Sequence, residues 1–182
     1  MRPWIGFALF VVGVGCAVPL ISSAQQSEGT SPKRADKVVL TDAEWKKKLT
    51  PAQYKILRAQ GTEAAFCGRF HDNHKTGIYY CAGCNLPLFA SNAKFDSGTG
   101  WPSFFQPVVK GNTWTKVDRS YGMVREEVNC SRCDGHLGHV FNDGPSDKGG
   151  LRFCINSDAL TFKEFKGAKI LAEIKRLQSG KS

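Results

Sequence analysis

Two Cys-x-x-Cys pairs, Cys81/Cys84 and Cys130/Cys133, constrain this chain more than any other feature of its sequence. Four thiolates at that spacing can close one tetrahedral zinc site, and each pair suits a tight turn, Ala82-Gly83 in one and Ser131-Arg132 in the other. The gap between the pairs is longer than in a compact zinc ribbon, so they are expected as knuckles on neighbouring hairpins, brought together by the sheet. A closed four-cysteine site has no open coordination position, so such a metal staples the fold and does no chemistry. Three other uses of the same residues compete. The pairs can be disulfides, or one can be a redox Cys-x-x-Cys. Cys130 and Cys133 can also join His136 and His139, which strands Cys81 and Cys84 and spaces the histidines more closely than usual.

The first 24 of the 182 residues stand apart. Arg2, an almost wholly apolar run from Trp4 to Ile21, and the small residues Ser22-Ser23-Ala24 are the parts of an export signal cleaved after Ala24. The alternative is an uncleaved anchor, since an apolar run of about 18 residues is at the lower limit for spanning a bilayer. Either way the domain is exported, which in a bacterium means the periplasm or the membrane face towards it, and membrane contact is confined to that segment. The net charge of +9 is scattered, apart from small clusters at Lys46-Lys47-Lys48 and near the C-terminus. It reads as solvated surface, and no nucleic-acid partner is expected.

Residues 25–37 are polar with Gly and Pro and read as a flexible linker. Two short helices follow. Thr41-x-x-Glu44 is a capping box, and Thr50-Pro51-x-Gln53 repeats it with proline at the first helical position, Gly61 being placed to end the second helix. From Gly77 to Phe162, short β-rich runs (GIYYC, LPLFA, FFQPVV, NTWTKV, GMVREEV, LRFCI) alternate with turn residues. The expected fold is mainly β: two antiparallel sheets with short N-terminal helices, stapled by the four cysteines. The folded domain is expected to span 38–162. A basic helical tail spans 163–182, with Ile170, Leu171, Ile174 and Leu177 on one face, packed against its own domain.

Cys154, in "LRFCINS", belongs to neither pair. Alternate residues of a strand share a face, so Arg152, Cys154 and Asn156 point the same way. A guanidinium favours thiolate over thiol, and an amide offers hydrogen bonds to a reacting group; that suits a nucleophile, although an isolated cysteine can also be a small buried hydrophobe. "GHLGHVFND" adds His136, His139 and Asp143 just after the second knuckle: histidine moves protons near neutral pH and an aspartate can orient it. In "SGTGWPSFF", Trp101 held by Pro102 can wall a pocket. Each of these residues, taken alone, can equally belong to a core.

Taken together, "CAGC", "FDSGTGWPSF", "REEVNCSRCDGHLGHVFNDGP" and "LRFCINSDAL" resemble the B-type peptide methionine sulfoxide reductases, from about Thr41 to Phe162. The resemblance implies reduction of the R epimer of methionine sulfoxide in oxidised proteins. Cys154 would attack the sulfoxide sulfur and keep the oxygen as a sulfenic acid. His136 and His139, organised with Asp143, would bind and protonate the sulfoxide oxygen. Trp101 would hold the substrate methyl, and Asn156 and Arg152 would support the histidines and the thiolate. The metal would be one structural zinc per chain.

Many relatives carry a second, resolving cysteine before the Trp-Pro-Ser, where this chain has Thr99. The remaining thiol of the mature chain is Cys67, in "TEAAFCGRF". It is the candidate to condense with the Cys154 sulfenic acid to a disulfide that a thioredoxin-like partner reduces; direct recycling by an external thiol is the alternative.

Overall fold

The computed structural model describes Met1 and residues 29–180. The expected export signal from Arg2 onward, and positions 25–28 of the expected linker, lie outside the described residues. No helix among the described residues is long and apolar enough to cross a membrane.

Helices α1 (Asp42–Lys48) and α2 (Pro51–Leu57) start as their sequences require. Thr41 accepts from the Glu44 amide while Glu44 accepts from the Thr41 amide, and Thr50 and Gln53 repeat the exchange. Trp45, Leu49, Ile56 and Leu57 are buried, so each helix contributes a narrow apolar stripe to the core. The end of α2 differs from expectation. Gln60, at φ 53°, takes the left-handed turn, and Gly61 donates its amide back to the Lys55 carbonyl at 2.8 Å.

Nine strands form two antiparallel sheets among the described residues. The smaller has the order β2 (Pro87–Ala90), β1 (Gly77–Cys81), β9 (Leu160–Glu164). The larger has the order β3 (Lys94–Phe95), β4 (Ser103–Phe104), β8 (Arg152–Ile155), β7 (His136–Phe141), β6 (Arg125–Cys130), β5 (Thr113–Asp118). Aromatic rings join the sheets: Phe89 stacks on Phe104 at 4.5 Å between centroids, and Tyr79 meets Phe104 edge-on at 5.0 Å. Such fully buried rings supply much of the apolar burial that stabilises the sandwich.

Three expected boundaries move. "FFQPVV" contributes a strand only at its start, because Pro107 has no amide to donate and β4 ends at Phe104. "HLGHVF" is itself a strand, β7. The C-terminal helix α3 (Lys169–Gln178) does not begin near Lys163, because Lys163 and Glu164 still pair with Ile78 and Gly77. Ile170 and Ile174 of α3 bury themselves against Ile78, Ala90 and Val108, so the tail packs on its own domain, with Leu171 exposed. Nor is the segment read as a linker free over its described part. Lys37 pairs with Asp134 at 2.9 Å, Asp36 with Arg132 at 2.8 Å, and Arg34 donates to Ser131 Oγ at 3.2 Å, strapping these residues across the second knuckle.

Candidate active site and metal centre

The two knuckles are built alike. Cys81 donates its amide to the Leu86 carbonyl and Cys130 to that of Gly135, while Asn85 and Asp134 take the left-handed conformation just after the second cysteine. Asn and Asp tolerate that conformation better than other residues with side chains. The knuckles sit on the β1–β2 and β6–β7 hairpins, which belong to different sheets; a metal there would tie sheet to sheet rather than hairpin to hairpin within one.

The four sulfurs lie within 4.8 Å of one another, with Cys81 Sγ 3.6 Å from Cys133 Sγ and Cys84 Sγ 3.5 Å from Cys130 Sγ. A tetrahedral zinc with bonds of about 2.3 Å spaces its sulfurs by about 3.8 Å, so the set fits. Disulfides, at about 2.05 Å, do not. The surroundings suit a dianionic metal–thiolate cluster. Arg58 donates to the Cys133 carbonyl at 2.9 Å and Arg132 to that of Cys84 at 3.2 Å, and Arg34 reaches Ser131 between the last two cysteines. His136 and His139 are engaged with carboxylates, which removes the partition that used them as ligands.

Cross-strand register lines up a functional row. Ser103 pairs with Cys154, Cys154 with His139, His139 with Glu127, and Glu127 with Lys116. Directly paired residues share a face of the sheet. The next row, Phe104, Phe153 and Val140, faces the core. His136 and His139 are three apart and regular alternation would part them. A bulge restores them to one face: Asn129 pairs with His136 and Val128 with Gly138, which turns Leu137 into the core. Gly138 is required there, since a Cβ would fall 2.1 Å from the Cys154 carbonyl oxygen.

Each histidine has its own carboxylate. His139 Nε2 lies 2.8 Å from Asp118 Oδ2, and Arg125 donates to the same oxygen at 2.7 Å. His136 Nδ1 lies 2.8 Å from Glu127 Oε1, with Lys116 3.3 Å from that carboxylate. Burial works against both carboxylates, but hydrogen bonds outweigh it and hold both below the usual range. For Asp118 the donors are Ser120 and His139 with the charge of Arg125; for Glu127 they are His136 and Lys116. Ionised carboxylates accept, so the hydrogen belongs on His139 Nε2 and His136 Nδ1. Burial lowers His139, against the opposing pull of Asp118.

The expected orienting aspartate is therefore corrected. Asp143 does not meet either histidine; it holds Arg152 through two bonds of 2.8 Å, and the Arg152 guanidinium lies 4.4 Å over the Phe141 ring. A guanidinium fork that meets a carboxylate through two bonds outcompetes a more distant imidazole. Asp118, Glu127 and Arg125 are site residues that sequence reading missed. Alternation in "TWTKVD" and "REEV" puts each on a defined face, but only the pairing of β5, β6 and β7 brings them to the histidines.

Cys154, Trp101, His139, Asn156 and Arg125 line one pocket of about 170 Å³. Burial raises the Cys154 thiol, while the Arg152 charge and the Thr99 hydroxyl, 4.0 Å away, favour the thiolate without overcoming it. Glu63 fixes two walls at once: its carbonyl accepts from Trp101 Nε1 at 3.2 Å and its amide donates to Asn156 Oδ1 at 3.0 Å. Asn156 also donates to the Leu137 carbonyl at 3.0 Å, so it braces the backbone between the histidines rather than touching their rings. Cys67 is exposed on a loop outside the pocket, and its neighbour Phe66 donates to the Gly100 carbonyl at 2.9 Å, next to Thr99.

The site is thus a β sandwich whose four clustered cysteines can hold a metal, with a thiol sharing its pocket with a carboxylate-held imidazole. A family profile described as the SelR domain matches residues 49–164. Proteins described as peptide methionine sulfoxide reductase MsrB are similar over most of their length. That of Herminiimonas arsenicoxydans is 57% identical over 127 residues, 70% of this chain and 92% of that one. That of Leptospira interrogans is 55% identical over 124 residues, covering 68% and 94%. That of Agrobacterium fabrum is 50% identical over 137 residues, covering 75% and 98%. The chain belongs to the SelR-domain family, that of the MsrB proteins.

Proposed function

We propose that the chain reduces the R epimer of methionine sulfoxide in oxidised, exported proteins, with Cys154 as nucleophile. The observation that carries this reading is the pocket itself: one thiol, one carboxylate-held imidazole and one indole wall around a space the size of a side chain. Cys154 sulfur attacks the sulfoxide sulfur, the oxygen passes to Cys154 as a sulfenic acid, and the thioether leaves as methionine. The Cys154 proton moves to the oxygen through His139, whose free Nδ1 accepts it once Asp118 holds Nε2–H. Trp101 walls the methyl side and sets which epimer presents its oxygen to His139. Cys67 then displaces water from the sulfenic acid to form a disulfide, and a thioredoxin-like dithiol reduces it by exchange. The exposed loop carrying Cys67, tied to the Gly100 carbonyl beside Thr99, supports that step. Cys81, Cys84, Cys130 and Cys133 would hold the zinc, which supplies rigidity beneath β6 and β7 and no bond to substrate. Steady-state assays on separated epimers, with dithiothreitol as donor, test the reading: R is reduced and S is not.

The pH dependence follows from two directions. Burial puts His139 below the ordinary imidazole value of 6.5 and Cys154 above the ordinary thiol value of 9.0. The neutral-pH site therefore holds a thiol beside a neutral imidazole. Acid protonates His139 and removes the acceptor; alkali strips Cys154 and removes the proton the oxygen needs. The expected kcat/KM profile is a broad bell with its acid limb below 6.5 and its alkaline limb above 9.0. A profile still rising through the ordinary thiol value would contradict this proton route.

Asp118→Asn leaves His139 without its orienting anion and is expected to cost about a hundredfold in kcat, the scale of a disabled general acid–base group. Asp143→Asn is expected to cost at least tenfold less. Equal losses in the two variants would return the orienting role to Asp143.

A further inference from the structure

Both chain neighbours of Cys67 are pinned. On one side Phe66 donates its amide to the Gly100 carbonyl at 2.9 Å, and a Cβ on Gly100 would fall 2.6 Å from the Phe66 nitrogen. On the other side a Cβ on Gly68 would fall 2.3 Å from both Glu63 Oε1 and Ser157 Oγ, so the main chain there lies directly against those two oxygens. Phe70 donates to the same Ser157 hydroxyl at 3.2 Å. The docked loop also holds Phe66 at φ 64°, a backbone that costs energy for a bulky residue.

Glu63 collects these ties. Its carboxylate accepts from the Ser157 amide at 2.6 Å and from the Asp158 amide at 3.1 Å, in the turn just after the strand that carries Cys154. Its main chain accepts from the Trp101 indole and donates to Asn156 Oδ1. The one side chain therefore fixes the carbonyl that holds the indole wall and the loop that carries Cys67.

Those two duties conflict. Cys67 is exposed and lies outside the Cys154 pocket, and both thiols are free. A disulfide needs its sulfurs about 2.05 Å apart. Cys154 has little freedom to travel, because β8 is paired on both edges, to β4 and to β7, and Ile155 donates to the Pro102 carbonyl at 3.0 Å. The loop is the part that moves, and it moves by leaving Glu63.

We infer that Glu63 is a latch, a positioning residue that keeps the Cys67 loop docked and the Trp101 wall in place, so that the docked loop serves substrate binding and the released loop serves disulfide formation. The inference rests on the reductase reading and on Cys67 as the resolving thiol.

The test compares the wild-type chain with Glu63→Ala and Glu63→Gln in two measurements. One is reduction of the R sulfoxide of N-acetyl-methionine methylamide, with dithiothreitol as donor. The other is the equilibrium of the Cys67–Cys154 disulfide in glutathione buffers, read by mass spectrometry. There glutathione disulfide takes two electrons and two protons from the thiol pair and becomes two glutathione molecules. Glu63→Ala is expected to raise KM about tenfold with little loss of kcat, and to shift the equilibrium about tenfold towards the disulfide, because the latch stabilises only the reduced, docked loop. Glu63→Gln keeps one acceptor and should move both quantities in the same directions by less. A residue that merely supports the fold would weaken binding without strengthening the disulfide. An unchanged KM, or a disulfide unchanged or weakened in the variants, would overturn the latch while leaving the reductase reading standing. So would a wild-type chain that reduces the sulfoxide yet forms no Cys67–Cys154 disulfide. Failure of the wild type to reduce the sulfoxide would overturn the reductase reading, and the latch with it.

Discussion

Cys154→Ser is expected to yield a folded, metal-loaded protein whose reduction of methionine-R-sulfoxide falls by at least about a thousandfold. Serine is close to cysteine in size, and the polar groups around the Cys154 sulfur, the Thr99 hydroxyl at 4.0 Å and the Arg152 guanidinium among them, can be met by a hydroxyl. Little packing is lost. What disappears is a sulfur able to take oxygen from another sulfur, which a hydroxyl cannot do. Epimer-resolved assays, with circular dichroism and metal content as controls, check the result. Retained activity would move the nucleophile elsewhere, and Cys67 would be the first residue to examine, since the other described thiols lie in the metal cluster.

Removing a metal held by the four cysteines is the second large effect expected. Cys81 and Cys130 sit at the ends of β1 and β6, one in each sheet, so the cluster closes the sandwich at one end. Structural zinc bound by cysteines is worth ~10 kcal/mol or more at neutral pH, comparable with the whole stability of a domain this size. Cys133→Ser, or a strong chelator, is therefore expected to abolish the cooperative thermal transition rather than shift it by a few degrees. The catalytic face goes with it, because β6 and β7 run from the second knuckle to Glu127, His136 and His139. A metal-free protein melting at the wild-type temperature would show that the sandwich needs no staple.

What was legible in the sequence was whatever depends on neighbours in the chain. Two capping boxes name their own helices. The Cys-x-x-Cys turns name a ligand set, and alternation in "LRFCI" puts Arg152 and Cys154 on one face. What was not legible depends on register between distant strands. Asp143 stands four residues from His139 and looked like its partner, yet Arg152 takes it, and Asp118 arrives from two strands away. The bulge at Leu137 is invisible to a period of two, although without it His136 would face the core. The Lys37, Asp36 and Arg34 contacts escaped because a polar segment with Gly and Pro looks alike whether it is free or docked by ion pairs.

Whether Cys154 takes the oxygen from the R epimer is decided by a single turnover without added reductant. Enzyme is mixed with excess of each separated peptide epimer, quenched with a thiol-blocking reagent, and both products are weighed by mass spectrometry. One methionine per chain is expected from the R epimer and none from the S epimer, with the oxidation found at Cys154 as a disulfide to Cys67. Methionine formed equally from both epimers, or oxidation confined to thiols other than Cys154, would contradict it.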